Sequence, residues 1–173
     1  LWFGMAGTGV ARMDPGSETF TRYVHSPDDP RSLSSNIVLS IAIDGEGFVW
    51  AGTLDAGINR LDPVTGTVER FLHEGDEERT LGAGRVDAII CDPEGNIWIG
   101  TGHGGLNLFE PVTRSFRKYV HDPRRPGTIS SNAVSALLHH RSGLVWVGTQ
   151  GGGVCRFDQT SGIFQAFITD HFD

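Results

Sequence analysis

Short apolar runs alternate with glycine- and proline-containing turns along the whole chain. One stretch shows the pattern clearly, with apolar runs at 86–91, 97–101, 105–109 and 115–120 and turns at 92–96, 102–104 and 110–114. The last of these runs alternates apolar and polar residues, as an exposed strand does. No segment keeps the 3.6-residue period over the ten or more positions that a helix requires. The pattern therefore predicts an all-β chain with four antiparallel strands in each unit.

This four-strand unit recurs every 48 residues, and tryptophan marks its register at Trp2, Trp50, Trp98 and Trp146. A glycine followed by an aliphatic residue returns with the same period, at Gly9, Gly57, Gly105 and Gly153. Four antiparallel strands repeated every 40 to 50 residues are typical of a propeller blade. We therefore predict a β-propeller fragment of four-stranded antiparallel blades with a 48-residue repeat.

The register divides the chain into one partial blade and three complete blades of a single propeller domain. Residues 1–24 supply the last three strands of a blade, and 25–73, 74–121 and 122–173 each supply a connection followed by a blade. The blades themselves cover about 36–73, 84–121 and 132–168. Because the chain begins inside a repeat, we expect it to belong to a longer ring of seven or so blades. Alternatively, the fragment oligomerises to cover its open blade faces.

Composition and charge exclude several classes of function but do not identify the function. The net charge of −7 and the absence of a basic cluster exclude nucleic-acid binding and disfavour contact with an anionic membrane. No apolar run approaches the roughly 20 residues of a membrane span, and no signal peptide is recognisable. Cys91 and Cys155 occupy different positions of the repeat, so we predict buried free thiols and no zinc-ligand spacing. Nothing in the sequence implies a cofactor.

Several segments resemble the two-component regulator propeller repeat, namely 32–36, 57–62, 92–101 and 104–107. The chain departs from that repeat at Met5, where the other units have threonine, and at His140, where they have aspartate. The resemblance implies the periplasmic or extracellular sensor part of a membrane-anchored signalling protein. It also implies a separate histidine kinase or diguanylate cyclase as output, and ligands that are often fragments of polysaccharides.

The recurrent aromatic and acidic residues have structural interpretations. The tryptophans lie inside aliphatic strands, so packing between blades is favoured over stacking on a sugar. The Asp–x–x–Gly–x–x–Trp pattern predicts a turn in which the aspartate accepts backbone N–H groups. His25, His73 and His121 recur at the blade rim and are predicted to be solvated turn residues. His139 and His140 point to opposite faces of a strand and cannot chelate one ion together. No metal site is predicted.

Candidate binding residues lie where the repeat departs from itself. The turns between the second and third strands of each blade vary at their tips and share one face with the starts of the first strands. The predicted ligand-binding residues on this face are Asp55, His103, Gln150, Asn36 and Asn132. An acid, an imidazole and amides can hydrogen-bond a polyhydroxyl ligand such as an oligosaccharide. The alternative is that exposed tips vary because nothing constrains them.

Three functions remain open from the sequence. The first is a non-enzymatic sensor module that binds a ligand or a second copy of itself and shifts the population of a signalling state. The second is an enzyme resembling the streptogramin lyases, which requires a histidine and an acid to meet near the propeller axis. The third is a protein-interaction scaffold, since a fold alone does not determine a function. No catalytic residue is assigned.

Overall fold

The computed structural model describes residues 1–75 and 80–167, which form fifteen β-strands and no helix. The first sheet contains β1 (Trp2–Met5), β2 (Gly9–Met13) and β3 (Phe20–Tyr23). The second contains β4 (Val38–Ile43), β5 (Val49–Thr53), β6 (Ile58–Leu61) and β7 (Val68–Phe71). The third contains β8 (Val86–Cys91), β9 (Ile97–Thr101), β10 (Leu106–Glu110) and β11 (Ser115–Tyr119). The fourth contains β12 (Val134–His140), β13 (Leu144–Thr149), β14 (Gly153–Asp158) and β15 (Ile163–Phe167).

Each sheet is antiparallel and its strands follow one another in chain order. The all-β propeller architecture is thus confirmed, with one three-stranded and three four-stranded sheets in the described part of the chain. Residues 76–79, in the connection of the predicted unit 74–121, and residues 168–173, at the end of the predicted unit 122–173, lie outside the described residues. The first strand of each four-stranded sheet has a register shift near its start, between Val38 and Ser40, Val86 and Ala88, and Val134 and Ala136. Such bulges increase the local twist of a strand.

The hydrophobic core lies between successive sheets. Trp50 is 1% exposed and its ring lies 5.0 Å from that of Phe109 in the next sheet. Trp98 is equally buried and lies 5.6 Å from Phe157 in the sheet that follows. The predicted packing of tryptophan between blades is confirmed at both positions. Trp146, in the last sheet, is only half-buried, and its ring lies 5.6 Å from that of Phe167 in its own blade.

The connections between blades are held by buried aliphatic residues and by the rim histidines. Leu33, Leu81 and Ile129 are completely buried. In each case a histidine eight positions earlier places Nδ1 2.7 Å from the carbonyl oxygen of that aliphatic residue, at His25, His73 and His121. Because a carbonyl only accepts, each Nδ1 carries the proton. His73 and His121 are exposed, as predicted, and His25 is half-buried. The hydrogen bonds that hold the connections to the blades were not predicted from the sequence.

A side chain in the third strand of each complete blade also holds the connection that precedes the blade. The side chain of Asn59 is completely buried, accepts the Ser34 N–H at 2.8 Å and donates to Ser34 Oγ at 2.8 Å. Asn107 accepts the Gly82 N–H at 3.0 Å in the next blade. In the last blade Cys155 replaces the asparagine, and its sulfur accepts the Ser130 N–H at 3.3 Å. Cys91 and Cys155 are both free thiols, as predicted, but only Cys155 is buried, whereas Cys91 is half-buried.

The two end sheets leave apolar faces open. On the first sheet Leu1, Phe3 and Phe20 are 66%, 40% and 59% exposed. On the last sheet Leu138 and Phe167 are 61% and 44% exposed. The corresponding positions in the inner sheets are those that face the neighbouring blades. The end faces therefore match the two sides of an interblade contact.

Candidate functional site

The turns between the second and third strands have a fixed backbone. Thr53 and Thr101 are buried, and each Oγ1 donates to the carbonyl of the glycine four residues later, at 2.8 and 3.0 Å. That glycine has positive φ at Gly57 and Gly105, where a Cβ would meet a backbone oxygen at 2.3 and 2.2 Å. Only glycine fits such a position. In the first sheet Met5 replaces the threonine, and its sulfur accepts the Thr8 hydroxyl at 3.3 Å instead.

Neighbouring turns are linked through the segments that begin the first strands. The Gly57 N–H donates to the Gly84 carbonyl at 2.8 Å, and the Gly102 N–H donates to the Arg85 carbonyl at 3.1 Å. Residues 84–85 therefore lie between the turn that carries Asp55 and the turn that carries His103. The same bonds place 132–133 between the His103 turn and the Gln150 turn. The three predicted turn residues thus form one row across three consecutive blades.

Asp55, His103 and Gln150 are exposed at the tips of this row. Their side chains make no hydrogen bond to any other described residue. Each is therefore free to bind a ligand without losing a contact of the fold.

Asn36 and Asn132 lie next to the row but already carry structural contacts. Their Oδ1 atoms accept the backbone N–H of His25 at 2.8 Å and of His121 at 2.7 Å. Both residues are half-buried. The structure brings these amides to the predicted face, where they help to hold the connections. Their contact with a ligand stays a prediction.

Arg85 and Asp87 belong to this face and were missed from the sequence. The Arg85 guanidinium pairs with Asp87, with Nη2 2.8 Å from Oδ1, and this hydrogen bond raises the pKa of Arg85. Arg85 also covers Gly102 beside His103, since a Cβ at Gly102 would lie 2.8 Å from Arg85 Cδ. The sequence did contain an indication, because both charges break the repeat. The position of Arg85 is Ile37 and Ala133 in the other blades, and the position of Asp87 is Leu39 and Ser135.

The opposite edge of the blades carries the aspartate turns. Asp44 Oδ1 accepts the backbone N–H groups of Glu46 and Phe48, at 3.1 and 2.9 Å, which confirms the predicted turn. Arg60 lies over the Phe48 ring at 3.5 Å and donates to Glu46 at 2.8 Å. Next to it a cleft of about 180 Å³ opens between the second and third sheets.

Comparison with known proteins supports the propeller architecture and the repeat. The model of the two-component regulator propeller family matches residues 32–55 and 80–103. No curated protein sequence gives a significant match.

Solved propellers share the fold at low sequence identity. The extracellular domain assigned to a hybrid two-component system of B. thetaiotaomicron superimposes with a TM-score of 0.79 at 23% identity, over 95% of this chain and 21% of that one. The extracellular domain assigned to a one-component system of the same organism gives 0.76 at 22%, over 98% and 24%. Virginiamycin B lyase from Staphylococcus aureus gives 0.68 at 16%, over 96% and 50%. The chain thus spans less than a quarter of the two sensor domains.

None of the described residues forms a helix long and apolar enough to cross a membrane. Two matched repeats lie in consecutive blades, and the same strand order and tryptophan register continue through the described sheets. The chain is a β-propeller segment in which two stretches, residues 32–55 and 80–103, match the two-component regulator propeller repeat.

Proposed function

We propose that this segment is part of a non-enzymatic, ligand-binding propeller in the extracytoplasmic part of a signalling protein. The observation that carries the proposal is the row formed by Asp55, His103 and Gln150, whose side chains are exposed and make no hydrogen bond within the described chain. Side chains that vary on an otherwise fixed backbone are where a repeat protein acquires specificity.

The chemistry of the row suits a polyhydroxyl ligand. A carboxylate accepts hydrogen bonds, an amide both donates and accepts, and a neutral imidazole does both through its two nitrogens. The Arg85–Asp87 pair adds donors and acceptors at the centre of the same face. An oligosaccharide presents alternating hydroxyl donors and acceptors along its length, so it can follow a row of this kind across several blades.

The proposed signalling role and the proposed extracytoplasmic location rest on similarity to known propellers. Two-component regulator propeller repeats match this chain, and the sensor propellers that share its fold are extracellular domains. Ligand binding would favour one arrangement of the propeller and so shift the output domain between states. A kinase or a diguanylate cyclase would be the output.

The open end faces point to further blades of the same chain as their partners. The first sheet exposes Leu1, Phe3 and Phe20, and the last exposes Leu138 and Phe167 beside the half-buried Trp146. In the inner contacts, faces of these two kinds pack against each other. The chain spans 21% of a sensor domain of the same fold, which leaves ample length for additional blades in proteins of this architecture.

Oligosaccharide binding is tested on the full-length protein by thermal shift followed by calorimetry. The probes are malto-, cello- and xylo-oligosaccharides and oligogalacturonates. A ligand that binds only the folded protein raises its melting temperature. We expect at least one probe to do so, and the triple variant D55A/H103A/Q150A to lose the shift. The D28A variant should keep it, since Asp28 is exposed and lies in the connection between β3 and β4, outside the turns that form the row.

Two outcomes would overturn the proposal in different ways. The absence of any shift across the panel would refute an oligosaccharide ligand, whereas a shift that survives in the triple variant would refute the assigned face. The non-enzymatic assignment has its own test: quinupristin, the compound bound to a lyase of this fold, is incubated with the protein. Conversion of quinupristin would establish an enzyme.

A further inference from the structure

Asp92, Glu94 and His139 meet where two blades join, on the edge opposite the predicted ligand face. Asp92 and Glu94 belong to the turn between β8 and β9, and His139 lies near the end of β12 in the next sheet. One carboxylate oxygen from each acid and one imidazole nitrogen lie within 4.8 Å of one another. The three side chains come from two blades, so the cluster exists only when those blades are packed together.

His139 presents an unused ligand atom to this cluster. Its side chain is only 12% exposed, its Nε2 atom is buried, and this nitrogen has no hydrogen-bond partner among the described residues. The nearest acidic oxygen, Glu94 Oε2, lies 3.8 Å away, which is too far for a hydrogen bond. A buried nitrogen without a partner is uncommon in folded proteins and calls for an explanation, such as the binding of an ion.

The carboxylate of Asp92 is oriented as a metal ligand usually is. Its Oδ2 accepts hydrogen bonds from Trp98 Nε1 at 2.9 Å and Asn96 Nδ2 at 2.8 Å. Within the described part of the chain, Oδ1 accepts only the Asn96 backbone N–H, at 2.7 Å. Oδ1 therefore keeps a free lone pair. Outer hydrogen bonds that fix the direction of a ligand are a regular feature of metal sites. Glu94, which is 63% exposed, can adjust to complete the set.

The preceding pair of blades shows how the same place is filled when no histidine is present. There the acids are Asp44 and Glu46, and Arg60 neutralises them with Nη2 2.8 Å from Glu46 and Nε 3.8 Å from Asp44. Leu108 occupies the position of Arg60 one repeat later, and His139 occupies the position of Cys91. Next to the Asp92–Glu94 turn, the arginine of the preceding repeat is therefore replaced by leucine, and the cysteine is replaced by histidine.

We propose that Asp92, Glu94 and His139 bind a divalent transition-metal cation, best represented by Zn²⁺. One imidazole nitrogen and carboxylate oxygens are ligands that Zn²⁺ accepts at about 2.0–2.2 Å, with water completing a tetrahedron. Neighbouring ligand atoms in such a site are about 3.3 Å apart. The 3.8 Å between His139 Nε2 and Glu94 Oε2 is close to that separation. The bound ion would join the third sheet to the fourth.

Zinc binding is measured on the full chain by calorimetry and by equilibrium dialysis, with Mg²⁺ and Ca²⁺ as comparison ions. We expect one Zn²⁺ per chain, a higher melting temperature in its presence, and no comparable binding of Mg²⁺ or Ca²⁺. H139I introduces the residue that the second sheet carries as Ile43 at this position, and E94Q removes the flexible carboxylate. Each variant should weaken Zn²⁺ binding by about tenfold or more.

L108R tests the electrostatic argument without removing any ligand. It places an arginine where Arg60 stands in the preceding blade, and it should also abolish zinc binding. The control is H140Q, because His140 is exposed and bonded to Ser142, and it should leave the affinity unchanged.

Three results would overturn the site. They are an unmodified chain that takes up no Zn²⁺ at millimolar concentration, an H139I variant with unchanged stoichiometry and affinity, and equal losses in H139I and H140Q. Circular dichroism of each variant separates lost binding from lost folding. None of these outcomes depends on whether the opposite face binds a sugar.

Discussion

The indole Nε1–H of Trp98 donates a hydrogen bond to Asp92 Oδ2 at 2.9 Å. Trp50 makes the same bond to Asp44 at 2.8 Å in the preceding blade. The Asp–x–x–Gly–x–x–Trp motif therefore does more than form a turn. It holds the ring that fills the contact with the next blade, so the turn of one blade supports the packing between two.

Removing this acceptor should destabilise the fold. The D92A variant leaves the Trp98 indole N–H and the Asn96 backbone N–H without their acceptor, and a buried unsatisfied donor costs about 1–3 kcal/mol. We expect the free energy of unfolding to fall by about 2–4 kcal/mol, measured by urea denaturation with a chelator present. The exposed D28A control should change it by less than about 0.5 kcal/mol. An equally small effect of D92A would contradict a structural role for the bond.

Much of the fold could be predicted because the repeat records it locally. Strands, turns and the interblade tryptophans each leave a pattern of a few adjacent residues. The hydrogen bond between Ser34 and Asn59 leaves no such local pattern, because the two residues are 25 positions apart and meet only once the connection has folded back. The bond from His25 to the Leu33 carbonyl was missed for the same reason: a histidine beside prolines gives no local indication of its acceptor.

The candidate sites were predictable to different degrees. The positions of Asp55, His103 and Gln150 at exposed turn tips could be predicted because a turn tip is recognisable and its variation stands out within a repeat; their binding of a ligand stays a prediction. The meeting of His139 with Asp92 was not found, because it depends on which face of β12 packs against the preceding blade. The face of β12 that packs against the preceding blade is determined by how the sheets stack, and the periodicity of a single strand does not determine that stacking.

The buried asparagine of the third strand should be replaceable by cysteine but not by alanine. N59A leaves the Ser34 N–H without an acceptor and creates a small void, so we expect a loss of about 2–3 kcal/mol. N59C reproduces the arrangement of the last blade, where Cys155 accepts the Ser130 N–H, and should lose less than half as much. Urea denaturation of both variants checks the order. A cysteine variant as unstable as the alanine variant would show that the sulfur contact contributes nothing.

The turns between the third and fourth strands should make stability depend on acidic pH. Backbone hydrogen bonds, chiefly from Val64, lower the pKa of Asp62 below its usual 3.8, and equivalent bonds do so at Asp14 and Asp158. A carboxyl whose pKa is lower in the folded state stabilises the fold above the unfolded value of 3.8. That contribution disappears as the pH falls through the folded pKa.

Melting temperatures of the parent and of D62N between pH 6 and pH 2 test this dependence. The parent should be the more stable above about pH 4, and the difference should shrink as the pH falls below that value. The exposed Asp28 provides the control, since D28N should follow the parent throughout. A difference between parent and D62N that does not change with pH would refute the ionic origin of the effect.

We expect that restoring the missing aspartate of the Asp–x–x–Gly–x–x–Trp motif in the last blade will stabilise the protein. His140 replaces that aspartate and uses Nδ1 to bond Ser142, at 2.7 Å from Oγ. Within the described chain, Trp146 Nε1 has no hydrogen-bond partner. H140D supplies the carboxylate that accepts the indole in the two preceding blades, so we expect the free energy of unfolding to rise by about 0.5–1.5 kcal/mol.

A double-mutant cycle with W146F identifies the bond as the source of this gain, because phenylalanine cannot donate. H140D should stabilise the parent but not the W146F background. An equal gain in both backgrounds would assign the effect to the turn alone, through the backbone N–H groups that an aspartate accepts there. A loss in the parent background would mean that the half-buried Trp146 is satisfied by water and that its blade needs no acceptor.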